Sequence, residues 1–387
     1  MRHALAILLV ALCAISLVAF CAMPVRSQDA PLGVAVAIED PQHRVLPRVR
    51  AALDRARRGE GVARLSFWGA SHTASDQYTG FLRERLQRRF GDAGAGLVMP
   101  AVPFALYERR DVTIHESAGW RGVRVRGAER ARDRYGRAGF AVETTSASWA
   151  RVRASTVAHA ELWASGAGTV ELRVDDAIVA NVPLAQRTTF LEADVPRGSH
   201  VVEARARGDG PVRVFGVLLE TGRPGVIVES FGVPGARARD QLPWDEAELR
   251  AQIARRPPDL VALAYGTNET GDRTPMAALE RDLREVIARW HRVAPESACL
   301  VIGPSDWMQT RAGALGPRAR TTEVRDLYRR TALAEGCGFF DLLALQGGPG
   351  AIARWVAMGW ALNDHVHMTD EGHARVAELL ERALVAR

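Results

Sequence analysis

The sequence predicts an α/β fold: a parallel sheet covered by helices on both faces, interrupted once by an antiparallel β insert. Three observations carry this expectation. Short apolar runs alternate with amphipathic helical segments before residue 108 and after residue 222, the pattern of strands joined through crossover helices. Between those positions the apolar period drops to two, with Gly, Asp and Pro at the breaks, as in half-buried antiparallel strands. The chain also has 387 residues, 47% hydrophobic and 25% charged, enough to build two domains.

Taken in order, residues 1–27 have basic Arg2 near their start, continue through an apolar run from Ala4 to Met23 and leave it on a polar stretch. This is the form of an export signal, with Val25 and Ser27 at small-residue positions for cleavage. The run is also long enough to stay as a membrane anchor, and bulky Phe20 argues against lipid attachment at Cys21. Residues 28–60 read as a polar linker. In 61–107, "ARLSFWG" reads as a strand ending at Gly69, and "SDQYTGFLRERLQRRF" as a helix with Phe81, Leu82, Leu86 and Phe90 on one face, stopped by Gly91.

Residues 108–222, with segments such as "VTIHE", "TVELRVDD" and "PVRVFGVLLE", read as an inserted antiparallel β-sandwich. The α/β rhythm resumes over 223–387. Strands are expected at "GVIVESFG", "DLVALAYG", "ACLVIGP" and "CGFFDL". The intervening helices include "PMAALERDLREVIARWHRV", with Met276, Leu279, Leu283, Ile287 and Trp290 facing inward, and "EGHARVAELLERALVA" closes the chain.

The formal charge of +6 comes from arginine alone, since the sequence contains no lysine. Acidic residues are interspersed with the arginines, and no nucleic-acid module accompanies them, so nucleic acid is not an expected partner. Cys299 and Cys337 are too few for a disulfide framework and lie in apolar runs, so two buried thiols are expected rather than one bridge. Neither a cofactor nor a metal is implied. Asp364, His365, His367, Asp370 and His373 crowd one loop, but no ligand set appears elsewhere.

In open parallel sheets, sites form in the loops at the carboxyl ends of the strands. Four such loops hold Ser71, the stretch "ESFGVPGARARD", the stretch "AYGTNETGD", and "ALNDHVHMTDEGH". Together they supply what acyl transfer needs: a hydroxyl nucleophile (Ser71), a base (His367), a carboxylate to orient it (Asp364), and oxyanion donors at Ser71, Gly235 and Asn268. Each residue alone has a plainer reading, Ser71 as a helix cap and Gly235 or Asn268 as a turn residue. The case rests on their joint occurrence. The elbow GxSxG is absent, because Thr73 stands where its second glycine would be.

The blocks "GASHTASD", "GVPGAR", "GTNE" and "DHVH" resemble, in order, those of the SGNH or GDSL-type hydrolases. The resemblance covers residues 62–107 and 222–387 and implies a flavodoxin-like three-layer sheet of about five strands. It implies Ser71 as nucleophile, Asp364 and His367 as its partners, and Gly235 and Asn268 as oxyanion donors. "SHTASDQYTGFLRERLQRRFGDAGAG" is similar to exported bacterial peptidoglycan O-acetylesterases, whose insert is like a carbohydrate-binding module. That implies an O-acetylated polysaccharide, peptidoglycan first, as partner and a periplasmic or envelope location. An O-acetyltransferase or a glycan binder without turnover stay open as alternatives, as does oligomeric state. Two positions depart from the family: Ala70 and Glu269 stand where aspartate is usual.

Overall fold

The computed structural model describes residues 31–125, 133–311 and 313–386; the expected export segment lies outside the described residues. Five parallel strands form the central sheet: β1 (Val62–Gly69), β2 (Gly225–Gly232), β3 (Leu260–Ala264), β4 (Ala298–Ile302) and β5 (Gly338–Phe340). Their spatial order is β2-β1-β3-β4-β5. The chain steps to one side of β1 to make β2 and then crosses to the other side to make β3. The resulting switch point is where open α/β sheets leave a crevice.

Side chains alternate along β1. Leu65 and Phe67 face a core built with α1 (Leu46–Arg57), α2 (Gln77–Phe90) and, at the C-terminus, Asp370–Val385. Trp68 faces the other way, into a core with Glu246–Arg255, Met276–Val293 and Arg320–Ala334. α1 corrects the linker expectation for 28–60. Val45, Val49, Leu53 and Ala56 are buried, and Glu39 exchanges backbone hydrogen bonds of 2.9 Å with Phe339 at the sheet edge. The arginines that made this segment look like a linker form the wet face of an amphipathic helix.

Among the described residues, nine strands between Gly96 and Glu220 form a separate antiparallel sheet. Its centre is a pair of long strands, Ala147–Gly166 and Thr189–Arg207, whose register breaks between Ala154 and His159. Such bulges bend a sheet, and the hydrogen bonding runs through all nine strands as one sheet. It begins earlier than residue 108, because Gly96–Val98 pairs with Val217–Leu219; three residues are too few to show a period of two. Trp163 is fully buried, whereas Trp120 and Trp149 are only partly so.

The two sheets share one continuous core, since Trp68 and Phe231 lie in the same buried cluster as Leu162, Trp163 and Phe215. A buried ionic network joins them too. Arg137, from the insert, donates to Glu229 of β2 at 2.8 Å and to Ser66 of β1 at 3.2 Å, while its carbonyl accepts the Trp68 indole N–H at 2.6 Å. Arg64 takes the other Glu229 oxygen at 3.0 Å. Burial pulls the Arg137 guanidinium down to about 10. Burial also disfavours the Glu229 carboxylate, but its two arginines outweigh that and hold it below the usual carboxylate range.

Cys299 and Cys337 are bridged, with their Cα atoms 4.6 Å apart, which corrects the expectation of two thiols. The reason is register. Leu300 of β4 lies beside Gly338 of β5, so the preceding residues are neighbours across the strands, which a sequence separation of 38 does not reveal.

Candidate active site

The loop after β1 can turn tightly because position 69 is glycine. A Cβ there would overlap the Thr73 hydroxyl and come within 2.8 Å of the Ala264 carbonyl. The Ala70 carbonyl accepts from the Thr73 and Ala74 N–H groups at 3.1 and 2.9 Å, which lifts Ser71 above the carboxyl end of the sheet. No carboxylate at position 70 holds this loop. Instead Ser230 of β2 donates to the Thr73 carbonyl at 2.5 Å and accepts from Thr79 at 2.9 Å. Below it, buried Asp76, in the left-handed region at φ 54°, takes Arg83 at 2.8 Å and the Arg110 N–H at 3.0 Å.

The last loop brings up the second half of the site. Asp364 Oδ1 accepts the backbone N–H groups of Val366 and His367, each at 3.0 Å, and Oδ2 accepts His367 Nδ1 at 2.7 Å. An ionised carboxylate only accepts, so Nδ1 carries the proton and Nε2 is left as an acceptor. Nε2 lies 3.0 Å from Ser71 Oγ. Partial burial works against the Asp364 carboxylate, but the His367 ring and the two N–H groups prevail and hold its pKa below the ordinary value. Residues 296 positions apart thus form one hydrogen-bonded series.

The loops after β2 and β3 converge on the same place. Val233 N–H donates to the Gly69 carbonyl at 3.0 Å, tying the glycine loop to the serine loop. Gly235 sits at φ 74°, and the next residue, Ala236, accepts one N–H of the Asn268 amide at 2.9 Å. The amide has a second N–H. The structure therefore gathers Ser71, Gly235, Asn268, Asp364 and His367 on one edge of the sheet.

Three residues to which sequence reasoning gave no part in the chemistry are built into this arrangement. Buried Glu269 takes the Ala238 N–H at 2.9 Å and the Tyr328 hydroxyl at 2.8 Å on one oxygen, and the Gly266 N–H at 3.0 Å on the other. It clamps the Asn268 loop to the Gly235 loop, and burial raises its pKa. His72 sits 2.9 Å from the Val366 carbonyl through Nε2, which joins the serine loop to the His367 loop; burial pushes it down to about 4. Ser230 is the third. Each was visible as a polar residue beside an apolar strand end, but its partner lies in a distant loop.

Residues 198–375 match the GDSL-like Lipase/Acylhydrolase family. The chain carries a GDSL-like lipase/acylhydrolase domain. The matched span of this domain holds Gly235, Asn268, Asp364 and His367 but stops short of Ser71, which the fold delivers from β1. A solved structure of a peptidoglycan O-acetylesterase is similar at a TM-score of 0.74 and 23% identity, covering 87% of this chain and 95% of that one. It has the same fold. A family two carbohydrate esterase from Cellvibrio japonicus matches at 11% identity and a TM-score of 0.30, over 71% of this chain and 98% of that one. No curated protein matches by sequence.

The other acidic and histidine residues of the last loop have separate places in the GDSL-like domain. Asp370 pairs with Arg110 at 3.1 Å, His365 lies at φ 58° with its carbonyl on the Met308 N–H, and His373 is buried 6.0 Å from the His72 ring. Among the described residues, the groupings with metal-ligand spacing are elsewhere: His291 with the disulfide sulfurs, and His159, Glu161 and Glu192. Arg255 and Arg256 already occupy Glu161 in the second.

Proposed function

We propose that this protein is an exported serine esterase that removes O-acetyl groups from a cell-wall polysaccharide, most directly peptidoglycan. The observation that carries the reading is the series Asp364 to His367 to Ser71, at 2.7 and 3.0 Å. In this proposal Ser71 Oγ attacks the acetyl carbonyl carbon as its proton passes to His367 Nε2. Negative charge on the carbonyl oxygen is met by the backbone N–H groups of Ser71 and Gly235 and by the Asn268 amide. Collapse breaks the bond to the sugar oxygen, which takes the proton from His367 and leaves acetyl-Ser71. Water then attacks the acetyl group, giving its proton to His367, and acetate departs as Ser71 regains its proton.

In this reading the parallel sheet and its helices make up the hydrolase, the antiparallel sheet that begins at Gly96 is of carbohydrate-binding type, and residues 1–27 are the export signal or anchor. The fold likeness to a peptidoglycan O-acetylesterase over most of both chains supports the glycan assignment. Acetate release from O-acetylated peptidoglycan, acetylated xylan and a small acetyl ester, by the protein and by Ser71→Ala, tests it. The wild type should release acetate fastest from peptidoglycan, and the variant from none. Undiminished release by Ser71→Ala refutes the mechanism; a preference for xylan refutes the substrate.

A further inference from the structure

Met308–Arg311 and Ala314–Pro317 pair as a two-stranded antiparallel hairpin, whose base is fixed to the site from two sides. The Met308 N–H donates to the His365 carbonyl at 3.1 Å, and the Ser305 N–H donates to the hydroxyl of Thr267, the neighbour of Asn268, at 3.0 Å. Trp307 stands between these anchors. The Arg318 N–H closes the hairpin on the Trp307 carbonyl at 3.0 Å, and the Arg318 guanidinium lies over the Trp307 ring, its Cζ 3.3 Å from the centroid. It rests against Gly271, where any side chain would run into it.

The arginines bonded to the neighbouring 272–274 loop have their partners within the protein: Arg237 holds the Asp272 carboxylate, and Arg320 donates to the Asp272 and Thr274 carbonyls. Arg318 makes no ion pair among the described residues, and its Nε is buried without a hydrogen-bond partner. The acid whose charge acts on it is Asp272, both of whose oxygens are taken by Arg237 at 2.5 Å. A partly buried cation without a counter-charge is costly to keep. A ring fixes the plane of this one, so its fork of N–H donors is oriented before any ligand arrives.

We propose that Arg318, backed by Trp307, is an anion subsite that binds a carboxylate carried by the glycan beside the ester being cleaved. The proposal rests on the esterase reading above and assigns its substrate class: an acidic glycan over a neutral one. A carboxylate matches the guanidinium fork through two parallel hydrogen bonds. Two groups on a cell-wall glycan offer it, the lactyl ether carboxylate of a sugar without peptide and the free carboxylates of an attached peptide.

The test compares wild type, Arg318→Met and Arg318→Lys on four acetyl esters: glycan strands stripped of peptide, peptide-bearing strands, acetylated xylan and a small neutral ester. The readout is the ratio of kcat/KM on each acidic glycan to that on xylan. Arg318→Met should lower this ratio by roughly 10- to 100-fold, the range for a charge-assisted hydrogen bond, with the loss in KM. Arg318→Lys should recover part of it, and added salt should lower the wild-type ratio. A fall with stripped strands identifies the lactyl carboxylate, and a fall confined to peptide-bearing strands identifies the peptide.

An unchanged ratio on both, or an equal loss on acidic and neutral esters, overturns the proposal. If the wild type releases acetate from nothing, the esterase reading fails. Calorimetric binding of stripped and peptide-bearing strands to Ser71→Ala with and without Arg318→Met then still decides the role of the arginine.

Discussion

Glu269 is the position where removing a single carboxylate should reach both the stability of the fold and the chemistry. It is 2% exposed and accepts from Ala238, Gly266 and Tyr328. Glu269→Gln keeps the volume but exchanges one acceptor oxygen for an NH2 group. At best the amide oxygen serves Ala238 and Tyr328, and the NH2 then faces the Gly266 N–H. The Gly266 N–H loses its acceptor and the NH2 itself meets a donor, which costs at least about 1 to 3 kcal/mol. Glu269→Ala strands all three donors, and the loss should lie between about 3 and 9 kcal/mol.

Urea unfolding at pH 7 measures both. Initial rates on a small acetyl ester should show kcat falling at least about 10-fold, because two oxyanion donors lose their common brace and each is worth roughly 3 to 4 kcal/mol when fully lost. Since burial raises the folded-state pKa of Glu269, the folded state holds its proton to higher pH than the unfolded chain. Its contribution to stability therefore declines as pH rises from the unfolded value through the folded one, and Glu269→Gln should remove that slope. A Gln variant with wild-type urea midpoint and wild-type kcat would refute the brace.

Arg137→Met should cost about 3 to 5 kcal/mol by leaving the buried Glu229 carboxylate with Arg64 as its one remaining arginine. Tryptophan fluorescence and circular dichroism should still report one coincident transition, because the sheets share a core. Asn268→Ala should cut kcat by roughly 100- to 1000-fold with little change in melting temperature; kcat within threefold of wild type would remove Asn268 from the oxyanion role. His72, held neutral by burial at about 4, should contribute stability that is complete above pH 6.5 and is lost, by about 3 kcal/mol, as pH falls toward 4. His373 is shifted the same way, so melting temperature should drop over this range, and less steeply in His72→Gln.

Much of this molecule was legible in the sequence because its signals are local. An apolar run, a glycine at its end and an amphipathic helix behind it identify a strand–turn–helix unit wherever they occur, as at Val62–Gly69 and Gln77–Phe90. The same local reading picked out Ser71, Gly235, Asn268, Asp364 and His367, since each stands in a loop after a strand or before the last helix. It failed where charge density hid periodicity, as in Leu46–Arg57, and where an element was too short to show any, as in Gly96–Val98.

Partnership across the fold was decided by tertiary structure alone. The register of β4 against β5 placed Cys299 beside Cys337. The alternation of β1 turned Arg64 and Ser66 toward Glu229 and Arg137, fusing the insert to the parallel sheet. Ala70 poses in the sequence the question of what holds the serine loop, and the answer, Ser230 on the Thr73 carbonyl, comes from a strand 157 residues away. Periodicity and turn chemistry are properties of neighbouring residues, whereas hydrogen bonds and ion pairs depend on which loops the strand order brings together. The residue types were set by the sequence, and their distances by the order β2-β1-β3-β4-β5.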